Sequence, residues 1–250
     1  REEDPSADVP TPIGYTVEEM ANMVAGAFRS MGLTPEHGFS PVIVVCGHGS
    51  SSLNNPHKSA YDCGACGGGR GGPNARAFAP MANDPRVRGI ITSHGLAIPA
   101  HVQFVAAYHN TCDDSVSWFD LESLTSKNHA ALEHAREVID AARRRSAHER
   151  CRRFESAPRW LDDAAGLRHV EERSEDLSQA RPELGHATNV LCLVGRRQWS
   201  RGLFLDRRAF LVSYDPTQDD QRGTVLEGLL QAIVPVCVGI NLEYFFSHVD

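Results

Sequence analysis

Apolar and polar residues recur along this chain with two periods, and the switches between them outline its elements. Val17, Met20, Val24, Phe28 and Met31 share a helical face behind Thr16 and Glu19, the spacing of a capping box, and predict a helix ending near Gly32. Residues 41–46 are continuously apolar and rich in β-branched side chains, which predicts a strand covered on both faces. On that reading Cys46 points into the core as a small apolar residue. Residues 47–76 hold few apolar side chains and predict an extended loop, of a length that is usually functional. Residues 89–93 and 102–108 read as further short strands. The second runs into His109, Asn110, Thr111, Cys112, Asp113 and Asp114, a polar strand end suited to the wall of a site.

From residue 122 to about 155 the chain is rich in Ala, Arg, Glu and His, with Leu132, Ala135, Val138, Ile139 and Ala142 on one face. That pattern predicts a long, largely exposed helix whose basic stretch, residues 143–153, is a solvated face. Residues 189–195 and 209–214 predict two more strands, and residues 224–233 a helix that stops at Pro235. Strands interleaved with helices predict an α/β fold, a mainly parallel sheet flanked by helices. Residues 1–13 read as a flexible lead-in and residues 14–250 as part of one domain, without internal repeat or linker.

Composition narrows the function. The 250 residues are 41% hydrophobic and 23% charged, enough to bury a large core. With 25 Lys and Arg against 32 Asp and Glu the net charge is -7, so no positive field draws the chain to nucleic acid. The longest uncharged apolar stretch, residues 229–241, contains Pro235 and is shorter than the ~20 residues of a bilayer span. The opening REEDPSADVPTP lacks the basic and apolar regions of a signal peptide. A start at Arg1 and a stop at Asp250, directly after an apolar run, lead us to expect a fragment at both ends. Seven irregularly spaced cysteines suit reduced thiols or metal ligands in a reducing cytosolic setting better than a disulfide framework.

The chemistry concentrates between Cys46 and Ala79, where Cys46, His48, His57, Asp62, Cys63 and Cys66 are all soft or borderline zinc ligands near one strand end. The Cys63-x-x-Cys66 pair occurs once, so a self-contained four-ligand site is weakly supported. Gly64, Gly67, Gly68, Gly69, Gly71 and Gly72, with Arg70 and Arg76, suit either an oxyanion cradle or a tight structural turn. No Gly-Lys-Ser/Thr follows the glycines, so this is not a P-loop. Ser50 is a candidate nucleophile for a zinc-dependent hydrolase, although GHGS lacks the second glycine of a nucleophile elbow. A third reading is a noncatalytic module whose apolar residues 229–246 dock a partner.

The run GHGSSSLNNPHKSAYDCGACGGGRGGPNARAF, with the later HNTCDD, ERSEDLSQARPELG and INLEYFFSHVD, closely resembles the DabA family of inorganic carbon transporter subunits over residues 41–250. The resemblance implies a β-carbonic-anhydrase-like core, here incomplete at its N-terminus, holding one Zn2+ through Cys, Asp, His and Cys. It implies a heterodimer with a DabB-type membrane subunit, bound peripherally to the cell inner membrane on its cytoplasmic side. It further implies one-way conversion of CO2 to bicarbonate, driven by cation flow through that partner and expected only of the full-length protein with its partner. Two ligands carry over, His48 from GHGS and Cys63 from DCGACGG. The other two belong to a Cys-x-Asp-Ser-Arg motif that does not occur here and is expected before Arg1. Cys66 is then structural or supports the ligands.

Overall fold

A computed structural model describes residues 14–53, 62, 63, 66, 68–179, 189–206 and 208–249. The expected lead-in, His57, Gly64 and Gly67 lie outside the described residues. The first helix, α1 (Val17–Met31), starts as its sequence dictates: Glu19 N donates to Thr16 Oγ1 while Thr16 N donates to the Glu19 carboxylate. Its buried face, Ala21, Val24, Ala25 and Phe28, meets two helices that follow the first strand, α2 (Gly72–Asn83) and α3 (Pro85–Ser93).

Those helices connect β1 (Val42–Gly49) to β2 (Gln103–Asn110), and the two strands pair in parallel. A parallel pair needs such a crossover because a tight turn cannot reverse the chain twice. β3 (Val116–Phe119) follows β2 after only the short turn of residues 111–115 and is therefore antiparallel to it, giving the order β1-β2-β3. One face of this sheet carries Ile43, Val45, Phe104 and Ala106 into the core under α1, α2 and α3, where Phe28 stacks on Phe104 with ring centroids 5.5 Å apart. The other face carries Val42 and Val105 against Leu124 and Leu132, the latter on the long helix α4 (His129–Cys151). α4 in turn packs on α5 (Asp163–Glu175) through Ala147, Cys151 and Val170. A separate two-stranded parallel sheet, β4 (Leu191–Gly195) with β5 (Ala209–Ser213), precedes the last helix, α6 (Thr224–Val249).

The fold is α/β, but in place of the expected mainly parallel sheet the described residues form two small sheets, the larger of them mixed. Residues 89–93 are the end of α3 and not a strand: Asp84 caps the helix through Arg86 N, Pro85 occupies its first position, and Val87 and Ile91 are buried at helical spacing. Pro235 does not end α6, which continues to Val249. A proline removes only its own N–H and crowds one carbonyl, and the apolar run beyond it favours helix. α6 leaves Leu230, Val234, Val238, Leu242, Phe245 and Phe246 exposed. Among the described residues no helix is long and apolar enough to cross a membrane. Cys46 is exposed and does not face the core, because side chains alternate along a strand and Val45 already occupies the α1 side.

The end of β1 is closed by backbone against backbone. Gly71 N donates to His48 O at 2.7 Å, and a Cβ on Gly47 would lie 2.1 Å from Gly71 O. Gly47→Ala should therefore destabilise by at least the ~1–3 kcal/mol of an overpacked core. Gly89→Ala, inside α3 with nothing within 4 Å of the new Cβ, should be neutral or stabilise by up to ~1 kcal/mol. Chemical denaturation of both variants checks the pair, and equal midpoints would refute the close approach.

Candidate functional site

β1 and β2 end side by side, with His48 beside His109 and Gly49 beside Asn110. His48 and His109 lie on the same face of the sheet as Val105, since residues two apart share a side. The loops leaving both strands are tied together. Thr111 N donates to Gly49 O at 2.8 Å, Asn110 Nδ2 donates to Ser51 Oγ at 2.7 Å, and Ser51 N donates to Asn110 Oδ1 at 3.0 Å.

Asp62 is completely buried at this end, and its Oδ1 accepts Ser50 N at 2.8 Å. A Cβ on Gly49 would sit 2.7 Å from both Asp62 Oδ1 and the Tyr108 hydroxyl, so only glycine admits the two groups. Asp62 Oδ2 and the Tyr108 hydroxyl are buried without a hydrogen-bond partner among the described residues. Leaving a buried polar atom unpaired costs ~1–3 kcal/mol, so each marks a place for water or a ligand. Burial, reinforced by His109, pushes the His48 pKa below its ordinary value while Asp62 pulls it up. The net effect keeps the imidazole neutral at pH 7, the form that donates to metals. Burial likewise raises the Tyr108 phenol, against the pull of Arg70, whose guanidinium lies 6.0 Å from the ring centroid.

Cys63 follows Asp62 directly and is buried in a tight turn. Its amide donates to Gly69 O at 2.9 Å, and its carbonyl accepts from Cys66 N at 3.0 Å and Gly68 N at 3.1 Å. Cys66 Sγ lies 2.8 Å from Cys63 Sγ and accepts Asn74 Nδ2 at 3.1 Å. Burial and the neighbouring Cys63 push the Cys66 thiol up to about 11, with Asn74 opposing. The Asp62–Ser50 and Gly71–His48 bonds return this turn to the end of β1, so His48 and Cys63 belong to one strand end.

Behind His109 stands a buried ionic network. His109 Nε2 and Asp114 Oδ1 lie 2.8 Å apart, Arg150 Nη2 donates to the same oxygen at 2.8 Å, and Ser146 Oγ donates to Asp114 Oδ2 at 2.8 Å. Arg150, 2% exposed, also donates to Cys112 O and Thr111 O at 3.0 and 3.1 Å. Burial pushes the Asp114 carboxyl up, but its hydrogen bond from His109 and the charge of Arg150 outweigh this and hold it below its ordinary 3.8. The basic stretch of α4 is thus not a uniformly solvated face: Arg150 is buried, and Arg143 binds Asp113 O and Glu171 from a half-buried position. Neither Arg150 nor Tyr108 stands out in the sequence, one hidden in an arginine run and the other in an apolar strand.

Several candidates are engaged elsewhere. Ser50 is buried and its Oγ accepts Ser52 N at 3.2 Å, a turn-forming role. Arg76 forms a paired contact with Asp120 at 2.7 and 2.9 Å and lies over Phe119, bracing the end of β3. Of the glycines, Gly71 serves close packing against β1. Among the described residues no group of three His, Cys, Asp or Glu side chains is arranged to hold a metal ion.

A family model described as "Probable inorganic carbon transporter subunit DabA" matches residues 1–250. "Probable inorganic carbon transporter subunit DabA 2" of Rhodopirellula baltica is 56% identical over 246 residues, 98% of this chain and 23% of that protein. The DabA of Methylococcus capsulatus is 55% identical over 237 residues, 95% of this chain and 22% of that protein. DabA 1 of Sorangium cellulosum is 56% identical over 236 residues, covering 94% and 23% respectively. The chain thus spans less than a quarter of the length of these relatives. No solved structure matches it.

Arg150→Met should cost about 3–5 kcal/mol, because it leaves the Asp114 carboxylate buried without its cation. Asp114 is more acidic folded than unfolded, so its contribution is present above its unfolded pKa and lost as pH falls through the lower folded one. Acid unfolding followed by circular dichroism should show this loss in the unsubstituted protein and a flatter acid limb in Asp114→Asn. Identical limbs would contradict the network.

Proposed function

Because the chain belongs to the DabA family of probable inorganic carbon transporter subunits, we propose that it contributes part of a zinc site for the one-way hydration of CO2 to bicarbonate. In this reading the protein works in inorganic carbon uptake with a DabB-type, cation-translocating membrane subunit, at the cytoplasmic side of the cell inner membrane. The observation that carries it is the return of the Asp62–Cys63 segment to the end of β1, which brings a buried thiol to the strand end of a half-buried, neutral imidazole.

Those two donors fit zinc, which accepts thiolate sulfur and neutral imidazole nitrogen. The orphaned Asp62 Oδ2 and Tyr108 hydroxyl support the same reading, since they leave buried polar capacity at the strand end. Zinc, when bound, supplies a Lewis acid that brings the pKa of water down to ~7. The other two ligands, Cys and Asp, are assigned to a Cys-x-Asp-Ser-Arg segment upstream.

This chain's residues then have definable tasks. His48 and Cys63 hold the ion. Gly47 and Gly71 let the two backbones approach closely, and Gly49 leaves room for the Asp62 carboxylate and the Tyr108 hydroxyl. Asp62 anchors the Ser50 amide and so sets where the chain leaves His48. His109, held by Asp114, places a second imidazole next to His48, a group able to take up the proton that hydration would release.

Zinc analysis tests the assignment on this chain and on a version extended upstream to include the Cys-x-Asp-Ser-Arg segment. In the extended protein His48→Ala and Cys63→Ala should each weaken zinc binding by well over ~10-fold, and Cys46→Ala should leave it unchanged. Full zinc in both ligand variants would overturn it.

A further inference from the structure

The Cys63–Cys66 turn carries a property that zinc binding does not require. The two sulfurs lie 2.8 Å apart across a three-residue step, far closer than side chains are held by chance. The turn is locked by Cys66 N and Gly68 N on Cys63 O, by Gly69 N on Cys66 O, and by Cys63 N on Gly69 O. The sulfurs are thus within about 1 Å of the ~2.05 Å of a disulfide bond. The pair is also asymmetric: Cys63 is buried, whereas Cys66 is half-buried and reachable from solvent. Access to solvent, and not thiolate character, thus makes Cys66 the sulfur that an oxidant meets first and Cys63 the one that resolves.

We propose that Cys63 and Cys66 form a reversible dithiol–disulfide pair, and that closing the disulfide withdraws Cys63 from zinc. The oxidant class is a low-molecular-weight disulfide such as oxidised glutathione. Cys66 gives up its proton, and its sulfur attacks one sulfur of the small disulfide, breaking that S–S bond and expelling one thiolate. Cys63 then gives up its proton and attacks the Cys66 sulfur, forming the intrachain bond and expelling the second thiolate. The two cysteines together lose two electrons, the small disulfide gains them, and the two expelled thiolates take up the two protons.

Withdrawal from zinc rests on the reading of Cys63 as a ligand. A metal-binding cysteine must be a thiolate, and a sulfur committed to a disulfide is not one. Asn74, which donates to Cys66 Sγ from the first turn of α2, holds the entry sulfur beside its partner. Oxidation and metal binding thus compete for one atom, and the zinc-loaded form should resist oxidation.

The test is incubation of the reduced, upstream-extended protein in a series of reduced-to-oxidised glutathione ratios, followed by thiol alkylation, peptide mapping by mass spectrometry and zinc analysis. The expected result is a Cys63–Cys66 linked peptide that disappears on adding reductant, with zinc content falling at least ~10-fold as it forms. Cys66→Ser should form no such peptide and keep its zinc under the same oxidant. The unsubstituted map does not depend on the variant folding, and the Cys192 and Cys237 peptides in the same map report oxidation elsewhere. Stable glutathione adducts, or two alkylated thiols at every ratio, would overturn the pair. A linked peptide with zinc retained would uphold the pair and instead refute Cys63 as a ligand.

Discussion

The site depends on one contact without side chains, the approach of Gly47 in β1 to Gly71 at the head of α2, fastened by the Gly71 N–His48 O bond. It brings the start of α2 against the strand end. Because the contact is backbone on backbone, it has no room for a side chain on Gly47 and lacks the rotamer freedom of a side-chain pair. His48 lies on one side of it and the Asp62–Cys63 segment on the other.

A different force acts on the far side. The HNTCDD loop after β2 is held by a buried arginine and a buried aspartate that belong to different elements, Arg150 to α4 and Asp114 to the loop. Burying such a pair brings little net stability, because desolvation offsets most of the attraction. What it supplies is direction: a guanidinium that donates to three fixed acceptors is held in one orientation, and His109 takes its bearing from the same carboxylate. The strand end is thus built from an uncharged clamp on one flank and an ionic one on the other.

Much of the scaffold was legible in the sequence. α1 follows from its capping box, β1 and β2 from apolar runs, α4 from its periodicity, and β4 and β5 from short apolar stretches. The failures share a cause: local pattern does not encode what lies opposite. Residues 89–93 suit a strand until Asp84 and Pro85 are seen to start a helix, and α2 hides behind a Gly-Pro-Asn opening. Of the site, His48, Asp62, Cys63 and Cys66 were visible by residue type. Arg150 was not, since an arginine in a basic run looks the same whether it faces water or a carboxylate from a loop 36 residues earlier.

That separation in sequence has a consequence in time. The bonds that assemble the strand end span 12 residues for Ser50–Asp62, 36 for Asp114–Arg150 and 59 for Ser51–Asn110. Loop closure costs more as the span grows. During synthesis the bonds that bring Cys63 to the His48 strand end, Ser50–Asp62 and His48–Gly71, can close once α2 begins to emerge, whereas the flank that holds His109 must wait for Arg150 at the end of α4.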